Sequence, residues 1–385
     1  MHKTPRLTSL LVTVLSLFGT SACAADGKQP DLQALPLKLA PPSEARTFAQ
    51  VRSFGKLTTL LVVGIEGDAV RGIDLSSPRQ HYAADLFDVI SDFTDDELEA
   101  ASEERGRVRQ YRLGELLHVG PRGQRHPAAG TNYAEHARET GLEGVFLFPK
   151  LSAASPPRTE VATGPGVLLD YEVELCARFD REIRRLEDFD QARKGLFLCG
   201  DFTDRATLFK KIRLDDVTSG DGFADAKQGA DRFPAGQFLV IPKDWKRFMD
   251  RIELRTLVNH ATRQSTTAGR MLKDLRTLVG ESLDVSNART WSYREHRIPL
   301  LRNGVIGTES AVLTGTSEGV VFQEPAGTVM QALMQAKSRQ AQLDVIDAYA
   351  TAEERRKVYL QPGDTVRYES NYLGRIEATV VAPSR

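Results

Sequence analysis

The sequence predicts an α+β fold in which β-strands dominate. Residues 167–179 alternate between apolar and polar side chains, which is the pattern of a strand with one apolar face. The runs 146–150 and 195–199 are short and apolar, as buried strands are. Helical spacing occurs in fewer places, such as 134–140. The chain is therefore expected to be mostly β, with helices between the strands.

The N-terminal residues have the pattern of a secretory signal. Lys3 and Arg6 precede an apolar run from Leu7 to Phe18, and Ala22-Cys23-Ala24 follows as a small-x-small cleavage site. The run is too short to span a membrane, so the first 24 residues are predicted to be removed during export, to a periplasm. A retained membrane anchor and lipid attachment at Cys23 are the alternatives.

Beyond the signal, the chain divides into a linker and two predicted domains. Residues 25–43 are polar and rich in proline, as a linker is. The strand-like runs 48–54 and 57–65 predict a small β-rich N-terminal domain over residues 44–118. The remaining residues, 119–385, form the second and larger predicted domain.

The remaining elements are predicted from the strand and helix periodicities and from glycine and proline at the ends of the elements. Besides 134–140, the predicted helices are 82–90, a charged connector at 95–109, 268–279 and an inserted segment at 328–345. The further predicted strands are 237–241, 250–258, 311–314 and a closing pair after the turn at 361–364. Residues 259–264 are predicted to be a polar turn. The apolar Val329, Leu333 and Met334 of the inserted segment are interpreted as packing residues.

Charge and cysteine content exclude some classes of protein. The formal net charge of the 385 residues is −1, which argues against nucleic acid or an anionic membrane surface as a partner. Of three cysteines, one lies in the signal. Cys176 and Cys199 could pair in an oxidising compartment, but two unpaired buried thiols are the favoured interpretation.

Three carboxylates share the polar face of the 167–179 strand. Asp170, Glu172 and Glu174 are two residues apart, and such neighbours lie ~6.6 Å apart on a strand. They could hold a hard cation such as Mg²⁺, Mn²⁺ or Ca²⁺, or they could be the solvated face of an edge strand. Asp201, after the run 195–199, could supply a further ligand or cap the next helix.

His136 and Glu139 are three residues apart on the predicted helix 134–140, so they share a face. A carboxylate beside a histidine fixes its tautomer and suits it to act as a general base. An ordinary surface pair is the alternative. The glycine-rich loop 315–319 could offer backbone N–H groups to an anion, although this signal is weak alone.

Taken in order, these pieces resemble the fumarylacetoacetate hydrolase family. The matching segments are Gly130 to His136, Phe148-Pro149-Lys150, Asp170 to Leu175, Gly200-Asp201 with Arg205, Asp225-Ala226-Lys227, Val258-Asn259 with Arg263-Gln264, Thr314-Gly315-Thr316 with Gly319-Val320, and Leu360 to Asp364. The resemblance covers residues 130–381, and its specificity lies in the ordered set rather than in any one motif.

The resemblance implies a catalytic domain whose strands form a mixed β-sandwich or barrel-like roll. It implies a divalent ion, Mg²⁺ or Mn²⁺ with Ca²⁺ as a further option, and a homodimer. The implied metal ligands are Glu172, Glu174 and Asp201, with Asp170 adjacent to them. The implied catalytic residues are His136, Glu139 and Lys227, and the implied substrate-binding residues are Lys150, Arg205 and Thr316.

The expected activity is hydrolysis of a C–C bond in a β-diketo or 2-oxo acid similar to fumarylacetoacetate or an acylpyruvate. Hydration, decarboxylation or isomerisation of a related 2-oxo acid are alternatives, as is an exported binding protein or a structural Ca²⁺ site. The expected partner is thus a small oxo acid, with no membrane span in the mature chain. Three departures from the family pattern affect the expected pocket, namely Gly200, Asp204 and the inserted helical segment.

Overall fold

The computed structural model describes residues 34–142, 144–286, 288–323 and 327–383. Its strands are β1 (Ala45–Ser53), β2 (Lys56–Glu66), β3 (Ala69–Asp74), β4 (Val108–Arg112), β5 (Leu116–Leu117), β6 (His126–Gly130), β7 (Phe146–Lys150), β8 (Arg158–Ala162), β9 (Leu169–Asp170), β10 (Val173–Phe179), β11 (Lys194–Gly200), β12 (Thr203–Asp204), β13 (Leu239–Pro242), β14 (Glu253–Val258), β15 (Ala261–Thr267), β16 (Thr290–Tyr293), β17 (His296–Pro299), β18 (Val312–Thr316), β19 (Thr365–Ser370) and β20 (Gly374–Val381). The helices are α1 (Ser76–Arg79), α2 (Leu86–Ile90), α3 (Asp95–Glu103), α4 (Ala134–Thr140), α5 (Leu186–Gln191), α6 (Arg205–Lys211), α7 (Phe223–Ala226), α8 (Trp245–Met249), α9 (Leu275–Ser286), α10 (Gly327–Gln335) and α11 (Arg339–Arg356).

Most strands belong to two sheets. The larger has the order β4-β3-β2-β1-β13-β11-β10-β18-β6-β7, with β5 beside β1. Among its described strands, only β18 and β6 pair in parallel. The smaller has the order β15-β14-β19-β20-β8. The predicted α+β, mostly β class is confirmed, although across the described residues the strands do not close into a barrel.

Strands β10 and β11 lie in the middle of the large sheet, and every residue of both is buried. The smaller sheet packs against them, since a Cβ added at Gly200 on β11 would lie 2.4 Å from the Tyr368 ring on β19. This close approach explains the glycine at position 200. The interpretation of the carboxylate face as the solvated side of an edge strand is therefore wrong.

The N-terminal strands continue the same sheet. Strand β1 pairs with β13 from Ala45 opposite Pro242 to Phe48 opposite Leu239. The division into domains at residue 118 stays a prediction. The predicted signal, 1–24, lies outside the described residues, and in the part that the structure describes no helix is long and apolar enough to cross a membrane.

Several predicted elements have other bounds in the structure. The strand 167–179 is interrupted at Tyr171 and Glu172, so it forms β9 and β10. The helix expected at 268–279 begins at Leu275, and 259–264 contributes to strand β15 rather than to a turn alone. The inserted segment forms two helices, α10 and α11. The helix 134–140 and the strand 146–150 are confirmed at both ends.

Cys176 and Cys199 form a disulfide with a Cα–Cα distance of 5.9 Å. The interpretation of two unpaired thiols is therefore wrong. The antiparallel register places Cys199 opposite Glu174 and Cys176 opposite Phe197, so the cysteines are diagonal neighbours. The disulfide joins the strand that carries Glu174 to the strand that leads to Asp201.

Candidate metal centre and its pocket

The three predicted metal ligands meet in the core. One carboxylate oxygen each from Glu172, Glu174 and Asp201 lies within 4.8 Å of the others, and all three residues are buried. Glu172 lies in the break between β9 and β10, Glu174 lies on β10, and Asp201 directly follows β11. The Asp201 N–H donates to the Glu172 carbonyl at 2.9 Å, which holds the two chain segments side by side.

Asp170, the fourth carboxylate, is fully engaged by the protein. Its Oδ1 accepts N–H groups from Tyr171 and Val321, and its Oδ2 accepts from Phe322 N–H and from Arg205 Nε. Arg205 Nη2 also donates to Glu172 at 2.8 Å. Since its oxygens already have four donors, Asp170 fixes Arg205 and the start of the inserted segment instead of offering a ligand atom.

Two buried lysines approach the same carboxylates. Lys227 Nζ lies 2.6 Å from Glu172 Oε2 and 2.8 Å from Asp201 Oδ2. Lys150 Nζ donates to Asp201 Oδ1 at 2.6 Å and to the backbone carbonyls of Lys227 and Arg232. These bonds use the three donors of the Lys150 ammonium. We therefore assign to Lys150 the role of positioning Asp201.

The charges of the cluster shift its pKa values in opposite directions. Burial raises the pKa of Glu172, but the cations of Lys227 and Arg205 outweigh it and lower the pKa to about 2. Burial and the Asp201 charge raise the pKa of Glu174 well above its ordinary value. Burial opposes the charge of Lys227, yet Asp201 and Glu172 raise its pKa.

These residues fit a divalent cation. Carboxylate oxygens are the ligands that hard cations prefer. Although Asp201 Oδ2 is buried and lies at ion-pair distance from Lys227, it receives no hydrogen bond of acceptable geometry, so it has acceptor capacity to spare. The buried cluster also contains one more carboxylate than cations. The carboxylates are those of Asp170, Glu172, Glu174 and Asp201, and the cations are those of Lys150, Arg205 and Lys227.

The predicted dyad forms on helix α4. His136 Nδ1 lies 2.8 Å from Glu139 Oε1, with side-chain exposures of 8% and 18%, so the pair is not a solvated surface contact. Asn132, two residues before the helix, donates to the Thr314 carbonyl at 2.9 Å and thereby ties α4 to β18. His136 lines the same pocket as Glu172 and Lys227.

The glycine-rich loop after β18 holds carboxylates of the protein itself. Gly315 N–H donates to Glu174 Oε2 at 2.8 Å, and Gly319 N–H donates to Glu139 Oε2 at 3.0 Å. Gly319 has φ +97°, and a Cβ there would lie 2.1 Å from the Arg263 carbonyl oxygen. Only glycine therefore fits the position that anchors the dyad.

The pocket beside this centre has a cavity of about 180 Å³. His136, Glu172, Arg205, Lys227 and Thr316 line it, whereas Lys150, Glu174 and Asp201 do not. Thr316 Oγ1 already donates to the Val173 carbonyl and accepts from Gln264, both at 2.8 Å. The structure thus brings Arg205 and Thr316 to the pocket but leaves Lys150 behind its wall.

Sequence reasoning missed three kinds of residue. Thr203 donates to Glu172 Oε1 at 3.0 Å and accepts from Lys227. Its position two residues after Asp201 is the feature of the sequence that could have indicated a place in the site. Asp204, rather than Asp201, caps α6 by accepting from Ala206 and Thr207. The pocket's apolar wall comes from distant segments, so no local pattern revealed it.

Comparison with known proteins gives the family and the fold. A sequence model described as fumarylacetoacetate (FAA) hydrolase, C-terminal, matches residues 125–381. Among solved structures, a fumarylacetoacetate hydrolase from Exiguobacterium antarcticum is 19% identical, with a TM-score of 0.55 and coverage of 88% of this chain and 100% of that one. A 5-carboxymethyl-2-hydroxymuconate delta-isomerase from Mycobacterium smegmatis is 17% identical, with a TM-score of 0.50 and the same coverages. The curated proteins contain no match.

Proposed function

The chain belongs to the fumarylacetoacetate hydrolase family, and from this premise we propose that it hydrolyses a C–C bond in a 2,4-dioxo acid with a divalent metal ion. The observation that carries the proposal is the meeting of the Glu172, Glu174 and Asp201 carboxylates beside the His136–Glu139 pair and one pocket. A binding protein would need the ion or the pocket, but it has no use for a buried, oriented base.

In the proposed reaction, water adds across the bond between C3 and C4 of the substrate. The hydroxyl of water joins the C4 carbonyl carbon and the C3–C4 bond breaks, which leaves its electron pair on C3. That carbon then takes a proton, so the products are a carboxylic acid and pyruvate. No oxidant or further reactant is needed.

Glu172, Glu174 and Asp201 would hold the divalent ion, which when bound would supply Lewis acidity toward the 2-oxo acid. With Nδ1 directed to Glu139, His136 has Nε2 available to accept the proton of the attacking water. The Lys227 ammonium provides positive charge for the electron pair that leaves C4. The Glu139 carboxylate is held by Gly319 N–H, so the imidazole keeps one orientation during proton transfer.

The direct test is turnover of 2,4-dioxopentanoate by the metal-loaded protein. We expect acetate and pyruvate in equal amounts, and loss of turnover when a chelator removes the ion. Neither product forming from any 2,4-dioxo acid would refute the hydrolase. Isomerisation is the second candidate, because more than one structural neighbour is named an isomerase. It would give a product of unchanged mass, whereas decarboxylation would release CO₂.

We further propose that the protein acts after export. The Cys176–Cys199 disulfide supports this, because disulfides persist mainly in oxidising compartments. Recovery of an intact Met1 terminus from the exported fraction would contradict cleavage of the signal. The homodimer remains a proposal that sedimentation of the mature protein would test.

A further inference from the structure

The cavity beside the metal centre is polar at one end and apolar elsewhere. Its charged lining residues, as far as the structure describes them, are Glu172, Arg205 and Lys227, which lie at the centre itself together with the imidazole of His136. Arg205 is held by Asp170 and Glu172, and Lys227 by Glu172 and Asp201. No further cation lines the described wall to receive an anionic group away from the centre.

One side of the cavity is aromatic. Phe146, Phe148 and Phe223 line it and contact one another, with the Phe223 ring centroid 4.9 Å from that of Phe146 and 5.0 Å from that of Phe148. The nearby hydroxyls of Thr131 and Thr140 donate to the backbone carbonyls of Gly144 and His136. The hydrogens of these two hydroxyls are therefore already used.

The inserted helices also contribute to the wall of the cavity. Leu333 of α10 and Ile346 of α11 line the cavity, and both are buried. Tyr349 also lines it and packs on Phe209 with ring centroids 5.3 Å apart. Burial raises the pKa of Tyr349 to about 12, so this phenol is neutral near pH 7.

The insertion is fixed to the body of the protein. Lys210 on α6 lies 2.7 Å from Asp347 on α11, and the Arg339 guanidinium donates to the Lys210 carbonyl. The Phe209 and Phe322 ring centroids are 5.4 Å apart, and Phe322 N–H donates to Asp170. The wall made by the insertion is thus connected to the carboxylate strand.

We propose that this cavity receives an apolar acyl group, aryl or alkyl, so that the substrate is a 2,4-dioxo acid with a single carboxylate. The proposal rests on the function proposed above. A cavity of about 150 Å³ lined by aliphatic and aromatic side chains suffices for benzene, so the cavity of about 180 Å³ admits a group the size of a phenyl ring. A second carboxylate there would be desolvated without a further cation to pair with, which is costly.

The first test is a substrate series that differs only in the acyl group. We expect kcat/KM for 2,4-dioxo-4-phenylbutanoate to exceed that for 2,4-dioxopentanoate by about 10- to 100-fold, which is the range expected from burying a phenyl group. The dicarboxylate 2,4-dioxoheptanedioate should be no better than the methyl compound. Equal values for the methyl and phenyl compounds, or a preference for the dicarboxylate, would overturn the proposal.

The second test measures binding without turnover. The acids 2-oxopentanoate, 2-oxo-4-phenylbutanoate and 2-oxoheptanedioate lack the 4-oxo group and cannot be cleaved by this reaction. Calorimetric titration in the presence of Mg²⁺ should give at least tenfold tighter binding for the phenyl compound than for the other two. If the phenyl compound binds most tightly but no dioxo acid is turned over, the hydrolase is refuted while the proposal that the cavity binds an apolar group is supported. If the phenyl compound does not bind more tightly than the other two acids, the proposal of an apolar ligand is overturned even if turnover is found.

A variant pair locates the preference in the cavity. Leu333→Lys introduces a cation into the wall and should reverse the preference, so that the dicarboxylate binds better than the phenyl compound. Met334→Lys changes the adjacent residue, whose exposure is 78%, and should leave the order unchanged. The same order of affinities for the phenyl compound and the dicarboxylate in both variants would contradict the assignment of Leu333 to the wall that contacts the ligand. If Leu333→Lys does not fold, Leu333→Ala should still weaken binding of the phenyl compound more than that of the methyl compound.

Discussion

Arg205 Nε donates to Asp170 Oδ2 at 2.9 Å, and both side chains are buried. Because Asp170 also accepts the Val321 and Phe322 N–H groups, one carboxylate joins the candidate metal centre to the inserted segment. Removing one partner of a buried ion pair leaves the other charge without compensation. The pair is thus a structural support for the site, while the substrate contact of Arg205 stays a prediction.

We therefore predict that Asp170→Asn lowers the free energy of unfolding by about 3–5 kcal/mol while the protein still binds its metal ion. Urea unfolding and metal analysis of the folded protein measure the two quantities. Asp190→Asn is a matched control, because it removes one partner of the exposed Arg276 pair and should change stability little. Loss of the ion in Asp170→Asn would instead make this carboxylate a ligand.

The three carboxylates are predicted to bind one divalent ion, so Glu172→Ala, Glu174→Ala and Asp201→Ala should each lose it. Chelation should lower the melting temperature, since an ion that binds the folded state at a hundredfold excess over Kd stabilises it by about 2.7 kcal/mol. Metal content and thermal unfolding are the measurements. Glu187→Ala, at an exposed position, should keep the ion. Unchanged stoichiometry in all three site variants would refute the assignment.

His136 and Glu139 are predicted to act as a unit. A positioned general base contributes about 10²- to 10⁴-fold to rate, so His136→Ala and Glu139→Ala should each lower kcat by that order. The double variant should lower kcat little more than either single change does, because the effects of residues that act as a unit are non-additive. Metal content should be retained in all three.

The control for the dyad is Glu135→Ala on the same helix. Glu135 pairs with the exposed Arg138 and Arg270, so kcat should barely change. Near-wild-type kcat in the His136 and Glu139 variants would show that the pair is structural and that catalysis rests on the metal and Lys227.

The disulfide is predicted to stabilise the strands that carry the ligands. Replacing both Cys176 and Cys199 by alanine should lower the free energy of unfolding by about 2–4 kcal/mol, as is usual for a native disulfide. Urea unfolding with and without reductant measures this. Reductant should destabilise the wild type but leave the double variant unchanged. Equal stability of the two proteins under oxidising conditions would show that the thiols do not pair.

Local patterns in the sequence were sufficient for much of the site. The two-residue spacing of Glu172 and Glu174 predicted a shared face, and the run before Asp201 predicted a buried strand that ends there. His136 and Glu139 meet because helical residues three apart are neighbours. These relationships involve neighbours along the chain, whose geometry follows from secondary structure.

Residues with distant partners could not be assigned in this way. The family resemblance implied a substrate contact for Lys150, but its three bonds depend on Asp201, Lys227 and Arg232, which lie far away in the chain. Asp170 differs from Glu172 only through the donors that surround it. Spacing is the same for both and both are buried, so hydrogen bonding distinguishes them.

By itself, the sequence predicted the mostly β fold, because strand and helix periodicities fix which side chains share a face. The resemblance of its ordered motifs indicated the family and implied the residues of the candidate centre. Tertiary structure alone decided that Cys176 and Cys199 pair, that both faces of β10 are buried, and that Leu333 and Ile346 line the cavity beside the centre. The physical reason is that pairing, burial and cavity shape arise from contacts between segments far apart in the chain, which periodicity within one segment does not encode.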